Sequence, residues 1–167
     1  MKYPKLHTTN LAQELYTPPE ATQQIIPFIK KGLIVWEMCY GRWDLADELK
    51  RNGITVVGRT DMDCFEEEPE EYDVIITNPP YRNNKDFIKR AIDSWKPFAL
   101  LVRLEHLWWV QASKLLKDLD IKILIPEKRI NFITPKMREW DKVWGSPFHT
   151  VWLTYKLVED KRQIIYL

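Results

Sequence analysis

The most constraining feature of the sequence is an apolar run at residues 73–77 that ends in two consecutive prolines, Pro79 and Pro80. The run contains Val-Ile-Ile-Thr, and β-branched residues between an acidic stretch and a proline pair predict a buried parallel strand. The prolines have no N–H groups, so acceptors at this strand end, including the Asn78 amide, stay available for an external donor. In an open α/β sheet, ligands bind at this edge.

The four residues after the run, Asn78, Pro79, Pro80 and Tyr81, resemble the Asn-Pro-Pro-Tyr catalytic motif of S-adenosylmethionine-dependent N6-adenine DNA methyltransferases. The resemblance implies that the Asn78 side-chain oxygen and the Pro79 carbonyl each accept one hydrogen of the substrate amine. The nitrogen lone pair could then attack the sulfonium methyl group, with Tyr81 stacked on the extruded base. A plain proline turn is the alternative, but the whole tetrapeptide after a buried strand is more specific than the dipeptide.

Length and composition predict one domain over residues 1–167, with a loosely ordered arm at 1–16. The resemblance implies that this is the catalytic domain, without a separate target-recognition domain. The formal net charge of +1 gives no overall signal for nucleic acid. No apolar run has transmembrane length and no signal-peptide pattern is present, so we expect a cytoplasmic protein (host cytoplasm if it is viral) without a membrane partner. Cys39 and Cys64 lack metal-ligand spacing, so neither a disulfide nor a metal site is predicted.

Residues 16–20, Tyr-Thr-Pro-Pro-Glu, are typical of a helix start, with Thr17 as N-cap and Pro18 at the first helical position. We expect this helix to continue to about Lys30. On local grounds it is simply a capped amphipathic helix. In the methyltransferases that the chain resembles, however, a Thr-Pro-Pro segment lies over the methionine end of the cofactor. The resemblance therefore implies that Tyr16 and Thr17 contact S-adenosylmethionine.

The first strand is predicted at residues 33–37, followed by a turn into a helix. The turn is similar in part to the cofactor loop of the same family, which has an acidic residue, small residues and glycines. Arg42 and Trp43 depart from it, because they stand where an acid and a second glycine are usual. A chain that has lost the cofactor is thus an alternative. The resemblance implies three cofactor-lining residues in this segment: Glu37, Cys39 and Gly41.

A second strand is predicted at residues 54–58. In folds of this kind an acid at the strand tip accepts hydrogen bonds from the cofactor ribose. Asp61 is the nearest candidate, and Asp63 with the apolar residue after it resembles the pair that holds the cofactor adenine. The interval 58–73 is short for a third strand and its crossover helix, so we expect one trimmed sheet edge.

After Tyr81, residues 82–85 are predicted as a polar loop over the base, with Arg82 as a substrate contact. His106 is expected to pack or cap. Trp108 and Trp109 belong either to the core or to an exposed stacking platform, and we expect one of the two to face the core. The remaining elements are predicted as helices at 85–94 and 105–119 and strands at 97–104, 121–126, 130–135, 149–157 and 164–167.

Residues 128–135, Lys-Arg-Ile-Asn-Phe-Ile-Thr-Pro, resemble a segment of small phage-type and archaeal-virus-type adenine methyltransferases. The resemblance implies that Phe132 lies against the flipped base, opposite Tyr81. In the loop that follows, Lys136 and Arg138 alternate with tryptophans, a pattern that suits contact with phosphates. A mobile surface loop explains the same composition equally well.

The order of the segments is similar to that of class I methyltransferases, whose α/β, Rossmann-like fold has a mostly parallel central sheet, helices on both faces and an antiparallel C-terminal strand. The resemblance implies an enzyme that transfers a methyl group from S-adenosylmethionine to adenine N6 in DNA. An RNA adenine methyltransferase is one alternative. A cofactor-free nucleic-acid-binding or regulatory subunit is another. Without a recognition domain, a partner subunit or a homodimer would assist target recognition.

Overall fold

The structure is a computed structural model that describes residues 15–41, 44–133 and 148–167. Short 3₁₀ helices at Ile26–Phe28, Tyr81–Asn83 and Leu104–Trp108 accompany the main elements. The α-helices are α1 (Pro19–Ile25), α2 (Asp44–Arg51), α3 (Asn84–Asp93) and α4 (Val110–Leu116). The strands are β1 (Ile34–Trp36), β2 (Thr55–Val57), β3 (Val74–Thr77), β4 (Phe98–Arg103), β5 (Ile121–Ile125), β6 (Thr150–Tyr155) and β7 (Ile164–Tyr166).

These strands form one sheet in the order β2-β1-β3-β4-β6-β5-β7. Every pairing that excludes β6 is parallel, and β6 runs antiparallel between β4 and β5. The predicted fold class is thereby confirmed. No strand lies within residues 58–73, so β2 is an edge, as the short interval predicts. The chain winds outward in opposite directions from β1 and β3, which opens a crevice between their carboxyl ends.

Helices cover both faces of the sheet, and alternate strand residues point to each face. Val74 and Ile76 of β3 pack in the same cluster as residues of α1 and α2, whereas Ile75 packs with residues of α3 and α4. All three side chains are fully buried. A strand that is buried on both faces needs a continuous apolar run rather than alternation, which explains the sequence of β3. No helix in the described ranges is long and apolar enough to span a bilayer.

The first helix differs from its prediction at both ends. Thr17 is not its N-cap: α1 begins at Pro19, and the Ala21 N–H donates to the Pro18 carbonyl at 3.0 Å. The α-helix ends at Ile25 rather than near Lys30, and a 3₁₀ turn follows. Pro27 explains this end, because it has no N–H to continue the α-helical bonding pattern.

Two later segments also correct the sequence-based expectations. Residues 82–85 are not a loop, since they belong to the Tyr81–Asn83 3₁₀ helix and the start of α3. The described part of 130–135 is not a strand, because β5 already pairs with β6 and β7 and leaves no free edge. Its single ladder contact is a bridge between Ile133 and Tyr16.

The predicted helix at 105–119 is interrupted. Residues Leu104–Trp108 form a 3₁₀ helix, and Trp109 has an extended backbone (φ −64°, ψ 136°) before α4 begins at Val110. This break turns both tryptophans outward, so neither Trp108 nor Trp109 reaches the core. The expectation that one of them is buried is therefore wrong.

Gly58, just after β2, fixes the position of the loop after β1. Its φ is +128°, and a Cβ there would lie 2.6 Å from the Glu37 carbonyl oxygen. Gly53 also has a positive φ, +76°, but a Cβ there would meet no atom of the described residues within 4 Å. Both positions strain an L-residue, but only Gly58 has no room for one.

We therefore expect Gly58→Ala to lower the free energy of unfolding by about 3 kcal/mol or more, since overpacking adds to backbone strain. The matched Gly53→Ala variant should lose only about 1 kcal/mol. Urea denaturation of the two variants measures the difference. Equal losses of unfolding free energy would show that the Glu37 backbone can shift away from the added Cβ at little cost.

Candidate active site

A cleft opens at the carboxyl ends of β1 and β3, with about 340 Å³ of empty space including its open mouth. Segments that are distant in the sequence meet there: the stretch before α1, the loop after β1 and the residue after β3. Its lining includes six of the predicted site residues: Tyr16, Thr17, Glu37, Cys39, Gly41 and Asn78. The switch point of the sheet thus brings the predicted cofactor residues next to the first residue of the predicted catalytic motif.

Glu37 and Thr77 connect the two strand ends that bound the cleft. The Thr77 hydroxyl donates to Glu37 Oε1, while the Cys39 N–H donates to both Glu37 Oε1 and Thr77 Oγ, each at 3.1 Å. Burial raises the pKa of the Glu37 carboxyl from 4.5 to about 7, although the bonds from Thr77 and Cys39 oppose the shift. Near neutral pH this carboxyl therefore exchanges readily between its charged and neutral forms.

The thiol of Cys39, a residue of the cleft lining, lies beside that of Cys64. Cys39 and Cys64 are both free and buried, and their thiols interact. Burial, with the Cys64 thiol beside it, raises the pKa of the Cys39 thiol well above its ordinary value. Such a thiol stays protonated and behaves as a small apolar group. The sequence contained no sign that these two segments meet.

Asn78 is held with one end of its amide occupied. Its Nδ2 donates to the Leu15 carbonyl at 3.0 Å, and its Oδ1 is buried and has no partner among the described residues. The Leu15 carbonyl can only accept, so it fixes which end of the amide is the N–H donor. An acceptor without a donor is costly to bury, so this oxygen suits a ligand that donates to it.

Tyr81 lies in an aromatic cluster beside this amide. The rings of Phe132 and Phe148 meet it edge to face, at 5.9 and 5.3 Å between centroids. The Arg103 guanidinium lies 4.9 Å from the centre of the Tyr81 ring and 3.8 Å from that of Phe148. Burial raises the pKa of the Tyr81 hydroxyl well above its ordinary value. The cluster holds the tyrosine uncharged, with a planar cation over its ring.

His106 supports Tyr81 from the other side. Its ring lies edge-on to Tyr81 at 6.4 Å, and its Nδ1 is hydrogen-bonded to Asn84 at 2.8 Å. Burial and the nearby Arg103 lower the pKa of His106, so the ring is neutral at pH 7. The prediction of a packing histidine agrees with this position.

Two predicted cofactor acids do not reach the cleft. Asp61 forms an ion pair with Arg59 at 2.9 Å, and its side chain is 74% exposed. Asp63 instead stabilises its own turn, because its carboxylate accepts from the Phe65 N–H at 3.0 Å. Arg59 and Thr60 lie between Gly58 and Asp61, so Asp61 is placed beyond the tip of β2. The ribose contact of either acid stays a prediction.

The predicted substrate residues are placed in part. Phe132 is beside Tyr81, but the two rings touch edge to face and leave no gap for a base between them. The binding of a base between Phe132 and Tyr81 therefore also stays a prediction. Pro79 is buried behind the strand end, and Pro80 leads into the 3₁₀ helix that carries Tyr81 and the exposed Arg82. Four predicted or noted positions lie outside the described residues: Arg42, Trp43, Lys136 and Arg138.

Several residues of the site escaped the sequence interpretation. Thr77 could have been found, because it directly precedes the motif and a threonine at a buried strand end needs hydrogen-bond partners. Arg103 and Phe148 had no comparable signal, since only the neighbouring positions of β4 and β6 bring them to Tyr81. The other cleft residues without a prediction are Leu15, Tyr40, Asp44, Leu45 and Ala46.

Comparison with known proteins identifies the fold. No protein-family model matches the sequence, and no curated protein matches it. A structure from Listeria monocytogenes, described as a class I S-adenosylmethionine-dependent methyltransferase, has 11% identity and a TM-score of 0.55, over 96% of this chain and 67% of its own. An S-adenosylmethionine-dependent O-methyltransferase from Thermotoga maritima has 13% identity and a TM-score of 0.53, over 95% and 74% respectively.

A third similar structure is the precorrin-6y C5,15-methyltransferase of Geobacter metallireducens GS-15, with 13% identity and a TM-score of 0.50. The similarity extends over 92% of this chain and the whole length of that structure. At these identities the likeness shows the fold. The chain has the class I methyltransferase fold, with the cleft at the switch point of its sheet.

The Glu37 and Thr77 contact should also stabilise the fold. Thr77→Val removes a hydroxyl that donates to Glu37 and accepts from Cys39, and we expect it to cost about 1–3 kcal/mol of unfolding free energy. Thr150 is the matched control, since its hydroxyl is buried in β6 without a partner among the described residues. Thr150→Val should be neutral or slightly stabilising by urea denaturation. An equal loss in both variants would contradict the hydrogen-bond argument.

Proposed function

We propose that the protein is an S-adenosylmethionine-dependent methyltransferase that methylates the N6 amine of adenine in DNA. The observation that carries the proposal is the Asn78 amide, which has its N–H end anchored on Leu15 and its buried oxygen without a donor in the described part of the chain. It stands at the border between the cleft after β1 and the aromatic cluster around Tyr81. An acceptor at that border suits an amine that must meet a methyl donor.

The cleft residues fit the cofactor in chemistry. Of the described residues, only Cys39 comes near the place where a Gly41 side chain would start, since a Cβ there would lie 3.7 Å from the Cys39 carbonyl oxygen. Backbone at such a glycine can approach a ligand closely. Glu37 supplies a carboxylate for a cationic ligand, and Tyr16 and Thr17 line the facing wall. When bound, S-adenosylmethionine supplies a methyl group on a positively charged sulfur.

The chain contributes orientation and hydrogen-bond acceptance. An adenine N6 amine is a weak nucleophile, because its lone pair is delocalised into the ring. Asn78 Oδ1 and the Pro79 carbonyl would each accept one of its hydrogens and favour the pyramidal nitrogen of the transition state over the planar ground state. The proton can leave to water once the nitrogen is cationic, so no dedicated base is required.

Tyr81 would stack on the base after Arg103 moves away. The guanidinium is planar and rests on the ring, so it occupies the kind of position that an extruded base needs. Arg103 has an alternative partner within reach, because the Glu105 carboxylate lies 4.0 Å away. Separation of Tyr81 from Phe132 in the same step would admit the base between the two rings.

Substrate contacts outside the pocket complete the proposal. Arg82 is exposed one residue after Tyr81, where it would contact a phosphate beside the extruded base. Lys136 and Arg138 would contribute further phosphate contacts. A partner subunit or a second copy of the chain would assist target recognition.

Asn78→Ala should lower the rate of methyl transfer at least about 100-fold, because it removes an acceptor used in the transition state. Stability should fall by only about 1 kcal/mol, the value of the bond to Leu15. Transfer of labelled methyl to duplex DNA and a thermal melt measure the two effects. Asn83→Ala, an exposed asparagine five residues later, is the matched control and should keep wild-type activity.

The same assay separates the alternatives. Label that enters RNA but neither duplex nor single-stranded DNA would assign the activity to RNA adenine. A calorimetric titration with S-adenosylmethionine that stays flat to millimolar concentration would favour the cofactor-free subunit. Global unfolding of Asn78→Ala would show that the residue is structural.

Glu37 should make cofactor binding depend on pH. Because the pKa of its carboxyl is about 7, the charged form that favours a cationic ligand is the minor form at pH 6 and the major form at pH 8. Affinity for S-adenosylmethionine should rise about tenfold over this interval, as the competent fraction grows. Calorimetry on Glu37→Gln provides the control, since the glutamine does not titrate. An equal rise in that variant would show that a group other than Glu37 causes the effect.

A further inference from the structure

Three consecutive apolar residues are exposed between the 3₁₀ helix after β4 and α4. Trp108 is 69% exposed, Trp109 51% and Val110 69%. We call this surface the aromatic ledge. Tryptophan has a large apolar face and is unfavourable in water unless something covers it. Because the ledge follows β4, it lies at the carboxyl edge of the sheet, where the candidate site also lies.

The ledge is joined to the candidate site by ring contacts. The rings of Trp109 and His106 lie 4.2 Å apart and are tilted by 43°. His106 in turn meets Tyr81 edge to face at 6.4 Å. One ring therefore separates the ledge from the tyrosine of the motif. The ledge and Tyr81 therefore lie on either side of the buried His106 ring.

Positive charge adjoins the same surface. Asn84 bonds to His106 at 2.8 Å, which fixes the start of α3 beside the ledge. Arg82 and Lys85 flank Asn84 in the sequence, and both are exposed. Neither cation has an ion pair among the described residues. Other exposed cations, such as Lys89 and Arg59, do form such pairs.

We propose that the aromatic ledge binds an unpaired polynucleotide strand, with bases stacked on Trp108 and Trp109 and phosphates near Arg82 and Lys85. The ligand follows from the combination of flat aromatic faces and unpaired cations, which is how proteins hold single strands without reading their sequence. A duplex offers phosphates but keeps its base faces stacked inside. The proposal rests on the proposed function, because the strand would continue from the base that enters beside Tyr81.

Fluorescence anisotropy with labelled oligothymidylate tests the ledge without cofactor. Thymine has no N6 amine, so binding does not require the proposed chemistry. Trp108→Ala should weaken binding about 5-fold to 150-fold, from a stacking energy of about 1–3 kcal/mol. Trp108→Phe keeps an aromatic face and should restore most of the affinity. Lys85→Gln should lower the slope of log affinity against log salt by about 0.7.

Trp95 provides the matched control. It is 76% exposed but precedes β4, at the opposite end of the strand from the ledge. Trp95→Ala should bind oligothymidylate as the wild-type protein does. Thermal melts of all variants exclude unfolding as the cause of any loss. Labelled oligouridylate in a parallel titration distinguishes DNA from RNA as the source of the strand.

The outcomes separate the ledge from the proposed function. Equal affinity in Trp108→Ala and Trp95→Ala, tighter binding of duplex than of single strand, or a change of oligomeric state in Trp108→Ala by light scattering would each overturn the ledge proposal. Strand binding that depends on Trp108, without methyl transfer to any nucleic acid, would overturn the proposed function and leave the ledge standing.

Discussion

The candidate site depends on the hydrogen-bonded contact between Glu37 and Thr77, because this contact joins the ends of β1 and β3, the two strands at which the strand order of the sheet reverses. β1 and β3 are parallel neighbours, and their following loops separate at this point. The Thr77 hydroxyl and the Cys39 N–H donate to the Glu37 carboxyl between the two strand ends. On the other side, the Gly58 backbone packs closely against the Glu37 carbonyl. The cleft lining after β1 and the Asn78 amide after β3 are consequently held in place by the same set of hydrogen bonds.

The elements that the sequence predicted well are those whose burial is decided locally. β3 is a continuous apolar run because both of its faces are covered, and a proline pair ends it. Its position then determines where the motif and the cleft must be. Residues 130–133 had equally good strand character and failed as a strand. Whether such a segment finds a partner depends on which edges other strands have already occupied, and one segment does not contain that information.

The side of the site that faces the substrate was less predictable for a related reason. Tyr81 and Phe132 belong to motifs, yet the guanidinium that covers Tyr81 comes from Arg103 at the end of β4. Asp61 had the expected residue type, but it lies further along the chain from β2 than usual, and it pairs with Arg59 at the surface. Trp108 and Trp109 turned outward because the helix breaks between them and α4. Each outcome reflects a contact between segments that are separate in the sequence.

A buried polar atom without a partner does not by itself identify a site. Thr150 and Trp152 in β6 also have buried polar atoms with no partner in the ranges that the structure describes, and neither residue lines the cleft. Asn78 differs because its other amide end is anchored on Leu15, so the amide cannot turn to satisfy its oxygen without losing that bond. In the same cleft, burial raises the pKa of the Glu37 carboxyl to about 7 and so disfavours its charged form. An acceptor left without a described donor and a carboxyl whose burial raises its pKa lie within one cleft, and a ligand explains this combination better than packing does.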